Sequence, residues 1–160
     1  MVLRFYTDGA CSGNGKEDAC GGWGVVVCLP KKQVRLSGGE KATTNNRMEL
    51  TAVIKALLWY TKHRKEIKTN RVQIYSDSSY VVNAVNQNWL LFWKRNGFIN
   101  SKKEEVKNKD LWLKFIEVKT EIEKDYGVKI EFVKVKGHDG IALNVLADKL
   151  ATTAVDRVKG

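Results

Sequence analysis

Two short stretches of the chain echo each other, Tyr6-Thr7-Asp8-Gly9-Ala10 and Tyr75-Ser76-Asp77-Ser78-Ser79. Each closes an apolar, β-prone run (Val2-Leu3-Arg4-Phe5 and Val72-Gln73-Ile74), with an Asp where the strand should end. Neighbouring strands lie roughly 4.8 Å apart. If these two are neighbours in register, two carboxylates meet at one sheet edge. Anions that close repel and shift each other's pKa. A divalent cation between them relieves the repulsion. Asp also follows strands for a plainer reason, since its side chain caps turns and helix starts. The pair alone therefore leaves both readings open, and further carboxylates have to decide between them.

A chain of 160 residues suits one domain, 1–160, with a full core. A single proline and the lack of low-complexity tracts argue against a linker. Lys and Arg number 28 against 18 Asp and Glu, a formal charge of +10. Such a surplus favours polyanions, nucleic acid above all. A membrane partner is not expected, because no apolar run approaches the roughly 20 residues of a spanning helix and no signal peptide is visible. Cys11, Cys20 and Cys28 lack zinc-site spacing and read as reduced thiols, so a cytoplasmic location is expected.

Strands are predicted at 2–8, 23–29 and 33–40, joined closely enough for an antiparallel meander. A Gly-rich loop holding Gly9, Gly13, Gly15, Gly21 and Gly22 separates the first two. From 44 to 60 the period becomes helical: Leu50, Val53, Ile54, Leu57 and Leu58 form one stripe. Thr44, Asn45 and Asn46 offer N-caps, and Glu49 is placed in the first turn. A strand at 71–77, a short helix at 78–85, a helix at 110–126, a strand at 128–135 and a helix at 143–158 follow. The order predicts an α/β fold: a five-stranded mixed sheet, three strands antiparallel and then two parallel, with helices on both faces.

Glu49 lies one residue outside its helix's apolar stripe. Asp148 stands among Ala147, Leu150 and Ala151, and a charge on an apolar face is costly without a partner. Asn144, at i−4, shares that face. His138 lies in the Gly-flanked loop before the helix. Taken with their surroundings, these residues become specific. Thr7-Asp8-Gly9-Ala10, Thr43-Thr44-Asn45-Asn46-Arg47-Met48-Glu49-Leu50, Ser76-Asp77-Ser78-Ser79-Tyr80-Val81, Val135-Lys136-Gly137-His138 and Asn144-x-x-x-Asp148-x-Leu150-Ala151 resemble type 1 ribonuclease H of the bacterial kind, in that family's order. The resemblance runs from about Val2 to Ala154.

It implies an endonuclease that hydrolyses the RNA strand of RNA–DNA hybrids and leaves 5′-phosphate and 3′-hydroxyl ends. Asp8, Glu49, Asp77 and Asp148 would hold two Mg²⁺ ions, with Mn²⁺ as a substitute. Asp8 would bridge both. Asp148 would complete the site that activates water, and Glu49 and Asp77 the site at the leaving oxygen. His138 would move a proton or help release product. Asn14, Thr44, Asn45 and Asn46, with Asn144, match positions near the substrate, where amides can bond hydroxyls and base edges without demanding one sequence. Residues 88–109 resemble the family's basic protrusion. Between 94 and 109 six Lys/Arg face two Glu. Trp93, Lys94, Arg95 and Phe98 are expected on the DNA strand, whereas Trp89 and Trp112 are expected in the core. The family pattern also implies a monomer with no obligatory protein partner. Three departures stand out: the apolar Asp139-Gly140-Ile141-Ala142-Leu143 segment, a longer loop at 14–21, and Ala42 in place of an Arg. A non-catalytic hybrid-binding module and a DNA-cutting nuclease on the same fold are the rival readings.

Overall fold

The computed structural model describes residues 1–136 and 142–160. Its five strands form one mixed sheet in the order β3-β2-β1-β4-β5. β1 (Val2–Ser12), β2 (Cys20–Cys28) and β3 (Gln33–Lys41) make the antiparallel meander. β4 (Arg71–Ser76) pairs parallel with β1, and β5 (Lys129–Lys134) parallel with β4. The two echoing strands are thus neighbours, and Thr7 stands opposite Ser76.

Period-two alternation decides what each face of the sheet does. Leu3, Phe5, Val25, Val27, Val72, Ile74, Ile130 and Phe132 point to one side. There they meet α1 (Asn45–His63), α2 (Ser79–Asn86) and α4 (Lys109–Thr120), the last continuing as a π-helical turn over Glu121–Asp125. α1 supplies Leu50, Val53, Ile54 and Leu57 of its predicted stripe to this core, and Leu58, the fifth, is half-buried against it. α5 (Ala142–Lys159) covers the other face over β1, β2 and β3. Helices therefore pack on both faces, as expected.

Two features depart from the expectation. Gly9, Gly21 and Gly22 belong to strands, with Gly9 opposite Trp23 and Gly22 opposite Ala10. The loop between β1 and β2 shrinks to 13–19 because the ladder runs on to pair Ser12 with Cys20. A further helix, α3 (Trp89–Arg95), forms where no regular element was predicted. It is one of the shortest helices and has no capping side chain. What fixes it is tertiary: Trp89 and Trp93 pack on one another, and Trp93 meets Trp112 edge-on at 5.5 Å.

Candidate active site

Asp8 and Asp77 each lie one step past Thr7 and Ser76, the last pair of the β1–β4 ladder. Asp77 follows the end of β4, whereas Asp8 does not end its strand as expected, because β1 runs on beside β2 to Ser12. The turn that carries Asp77 is tied down locally. Ser78 N–H donates to Ser76 Oγ at 3.1 Å, and Ser78 Oγ accepts from Val81 N–H at 3.2 Å to cap α2. Ser76 is fully buried, a role that sequence reading missed.

Glu49 comes to the same edge from α1. It is the fifth residue of that helix and not in its first turn. Closeness is achieved by a glycine: a Cβ at Gly9 would lie 2.3 Å from Glu49 N and 2.5 Å from Met48 C. Only a residue without a side chain lets the helix backbone rest on β1 there. Gly24, opposite Asp8 in the ladder, does the same for α5, since a Cβ would lie 2.5 Å from the Ala147 carbonyl oxygen. Asp148 follows Ala147, so this contact brings the fourth carboxylate toward Asp8. The signal for both helices was present as glycines interrupting β-prone runs, but it does not say which helix approaches.

One carboxylate oxygen each from Asp8, Glu49 and Asp77 lie within 4.8 Å of one another. Asp8 is 3% exposed, and its pKa is pushed up to about 7. Burial is the main cause. The Asp77 charge and the neighbouring Asp148 carboxyl add to the rise, while Glu49 and the Gly9 N–H oppose it. Gly9 N–H donates to Asp8 Oδ1 at 2.9 Å. Glu49 is raised well above its usual range, again by burial first and then by the Asp8 charge. Its Oε2 is buried with no hydrogen-bond partner among the described residues. A carboxylate with a buried, unpartnered oxygen, set beside two further carboxylates, is unfavourable for a protein alone. It suits a hard divalent cation with oxygen ligands. The residues present fit such an ion.

A second cluster lies at the start of α1. Thr44 Oγ1 caps the helix by accepting from Arg47 N–H at 3.1 Å. Asn14 reaches over from the β1–β2 loop, its Oδ1 accepting from Asn45 N–H at 2.7 Å. Asn45 and Asn46 are exposed beside them. The four polar residues singled out in sequence thus gather at one helix end. Asn144 is buried in the first turns of α5, its Oδ1 without a partner among the described residues.

The protrusion residues divide. Lys94 and Arg95 are exposed, and Trp93 is half-buried against Trp112. Phe98 is not a surface contact. It is 7% exposed and belongs to the hydrophobic core. It holds a left-handed backbone (φ +62°) and receives a hydrogen bond from Val106 N–H at 2.8 Å. The reason is packing: the arm folds back over its own aromatic ring. Trp112 is fully buried as expected, and Trp89 is half-buried. His138 and the apolar 139–141 stretch lie outside the described residues.

The family model for RNase H matches residues 2–156. This chain belongs to the ribonuclease H family. It is 45% identical over 153 residues to the ribonuclease H of Moorella thermoacetica, covering 96% of this chain and 91% of that protein. Among solved structures it resembles LC9-RNase H1, a type 1 RNase H with the type 2 active-site motif, at TM-score 0.72 and 31% identity, covering 98% of this chain and 73% of that one. It also resembles the foamy viral protease-reverse transcriptase in complex with RNA/DNA hybrid, at TM-score 0.77 and 28% identity, covering 98% of this chain and 20% of that one. RNase H members are nucleases, and this chain is an RNase H endonuclease. Among the described residues no helix is long and apolar enough to cross a membrane.

Proposed function

We propose that this RNase H cuts the RNA strand of RNA–DNA hybrids with two Mg²⁺ ions held by Asp8, Glu49, Asp77 and Asp148, leaving 5′-phosphate and 3′-hydroxyl ends. The observation that carries the reading is the convergence of one oxygen each from Asp8, Glu49 and Asp77 within 4.8 Å, in a cluster where Glu49 also has a buried, unpartnered Oε2. When bound, the ions supply Lewis acidity to the scissile phosphate and to the attacking water. The chain's own residues prepare the place. Burial pushes the Asp8 and Glu49 carboxyls toward their protonated forms, and a bound cation would favour their ionised forms. Gly9 N–H fixes one Asp8 oxygen, and the Ser76–Ser78 turn fixes Asp77. His138 serves as a proton carrier in this reading.

The α1 start provides the substrate contact. Asn14, Thr44, Asn45 and Asn46 offer hydrogen-bonding groups to the minor groove, where the 2′-hydroxyl marks RNA. Lys94 and Arg95 lie on the arm to meet phosphates of the DNA strand, with Trp93 behind them. A complex of the foamy viral relative with RNA/DNA hybrid supports this choice of substrate. Phosphate contacts of this kind make binding sequence-tolerant and strongly salt-dependent.

The test uses end-labelled RNA–DNA hybrid, duplex RNA and duplex DNA, with Mg²⁺ or with EDTA, beside an Asp8→Asn control. Cutting confined to the hybrid's RNA strand, lost with EDTA and in the control, is expected. Binding without cutting, or a cut DNA strand, refutes the reading.

A further inference from the structure

Arg47 stands in α1 between the exposed asparagines and Glu49, and it engages the far end of the basic arm. Its Nη1 donates to Asp110 Oδ1 at 3.0 Å and its Nη2 to Asp110 Oδ2 at 2.9 Å. Nη1 also reaches Asn108 Oδ1 at 3.3 Å. Asn108 closes the arm with a left-handed backbone (φ +62°) and precedes the first residue of α4. Its Nδ2 donates to the Tyr80 hydroxyl at 3.2 Å, which also accepts from Trp112 Nε1–H at 2.8 Å. Tyr80 lies in α2, three residues past Asp77.

One network therefore joins the helix that carries Glu49, the helix that follows Asp77, and the exit of the arm. The entry of the arm rests on a member of the same network, through Trp93 on Trp112. A surface ion pair by itself adds little stability. A guanidinium fork on a carboxylate does something else: two parallel hydrogen bonds fix an angle as well as a distance. The Asp110 carboxyl is held below the usual range by this fork, although its side chain is 67% exposed.

We propose that Arg47, through Asp110 and Asn108, is a positioning residue that sets the basic arm at its working angle to the catalytic carboxylates. This rests on the reading that the arm grips the hybrid. Two RNA–DNA hybrids test it, one long enough to reach from the carboxylates to the arm and one too short. With Arg47→Ala or Asp110→Asn, KM on the long hybrid rises about three- to tenfold, the size of a lost pairwise coupling, and kcat holds. KM on the short hybrid does not change. The salt dependence of KM on the long hybrid becomes shallower, as arm–phosphate contacts are lost. Arg47→Lys restores part of the loss, and the double variant is no worse than either single one. Asp110→Asn alters an exposed side chain, so it decides the matter if Arg47→Ala does not fold. Unchanged KM on the long hybrid, or equal losses on both hybrids, overturns the proposal. If the unmutated enzyme gives the same KM on both hybrids, the arm does not grip at all, and the failure lies in the earlier reading.

Discussion

Neutralising Asp8 should stabilise the metal-free protein while it abolishes cleavage. The Asp8 carboxyl is forced from its ordinary 3.8 to about 7 in the fold, chiefly by burial. Each unit of that rise is about 1.4 kcal/mol of penalty on the ionised form. About three units make an upper estimate of about 4 kcal/mol at alkaline pH. Because the folded pKa is the raised one, the native state is favoured while the group stays protonated. The penalty is absent below pH 3.8, grows as pH rises toward 7, and is complete above it. Asparagine keeps the oxygen that Gly9 N–H reaches and removes the charge. Urea melts in EDTA at pH 5.5 and 8.5 should therefore show Asp8→Asn more stable than the unmutated chain, by about 2 kcal/mol at the first and about 4 at the second. In heat the second gain corresponds to about 8–16 °C for a domain of this size. Saturating Mg²⁺ should narrow the gap, because the ion binds only the native carboxylates of the unmutated chain. A gain that is absent, or that does not grow between the two pH values, would refute the claim that the cluster is strained by its own charge.

Apparent Mg²⁺ affinity should rise with pH through about 7, since binding must displace the proton that burial keeps on Asp8; calorimetry in buffers of different ionisation enthalpy reads the protons released. Gly24→Ala should cost about 1–3 kcal/mol of stability and also lower kcat, because α5 must retreat and Asp148 moves with it; thermal melts and steady-state kinetics measure the two. Phe98→Ala should cost about 3 kcal/mol as a core truncation. Lys94→Ala with Arg95→Ala should leave stability within about 0.5 kcal/mol and instead weaken hybrid binding at low salt, as fluorescence anisotropy would record.

The sheet was legible because its signals are local. An apolar run ending in Asp, repeated with the same neighbours, placed β1 beside β4, and the stripe from Leu50 to Leu58 put α1 on the core face. What escaped was set by contacts between distant parts of the chain. Gly9, Gly21 and Gly22 read as a loop because glycine disfavours strands. In the fold they are strand residues because α1 or α5 lies too close for any side chain. α3 has weak local support and exists because Trp89 and Trp93 find Trp112, which comes some twenty residues later.

The site divides in the same way. Four acids could be named from their neighbours, but the raised pKa of Asp8 and Glu49 could not, because it depends on burial that only the packed helices create. Phe98 makes the point in reverse: flanked by Gly97 and close to Lys94 and Arg95, it reads as a nucleic-acid contact, but the arm doubles back so that Val106 N–H bonds its carbonyl, and its ring is buried. The same closeness of backbone that makes the carboxylates repel one another also holds them where a cation can use them. Loosening it at Gly9 or Gly24 would relieve the charge and scatter the ligands together. Stability without metal and affinity for metal are therefore opposed at this edge of the sheet, and a substitution that improves the first by moving α1 or α5 should weaken the second.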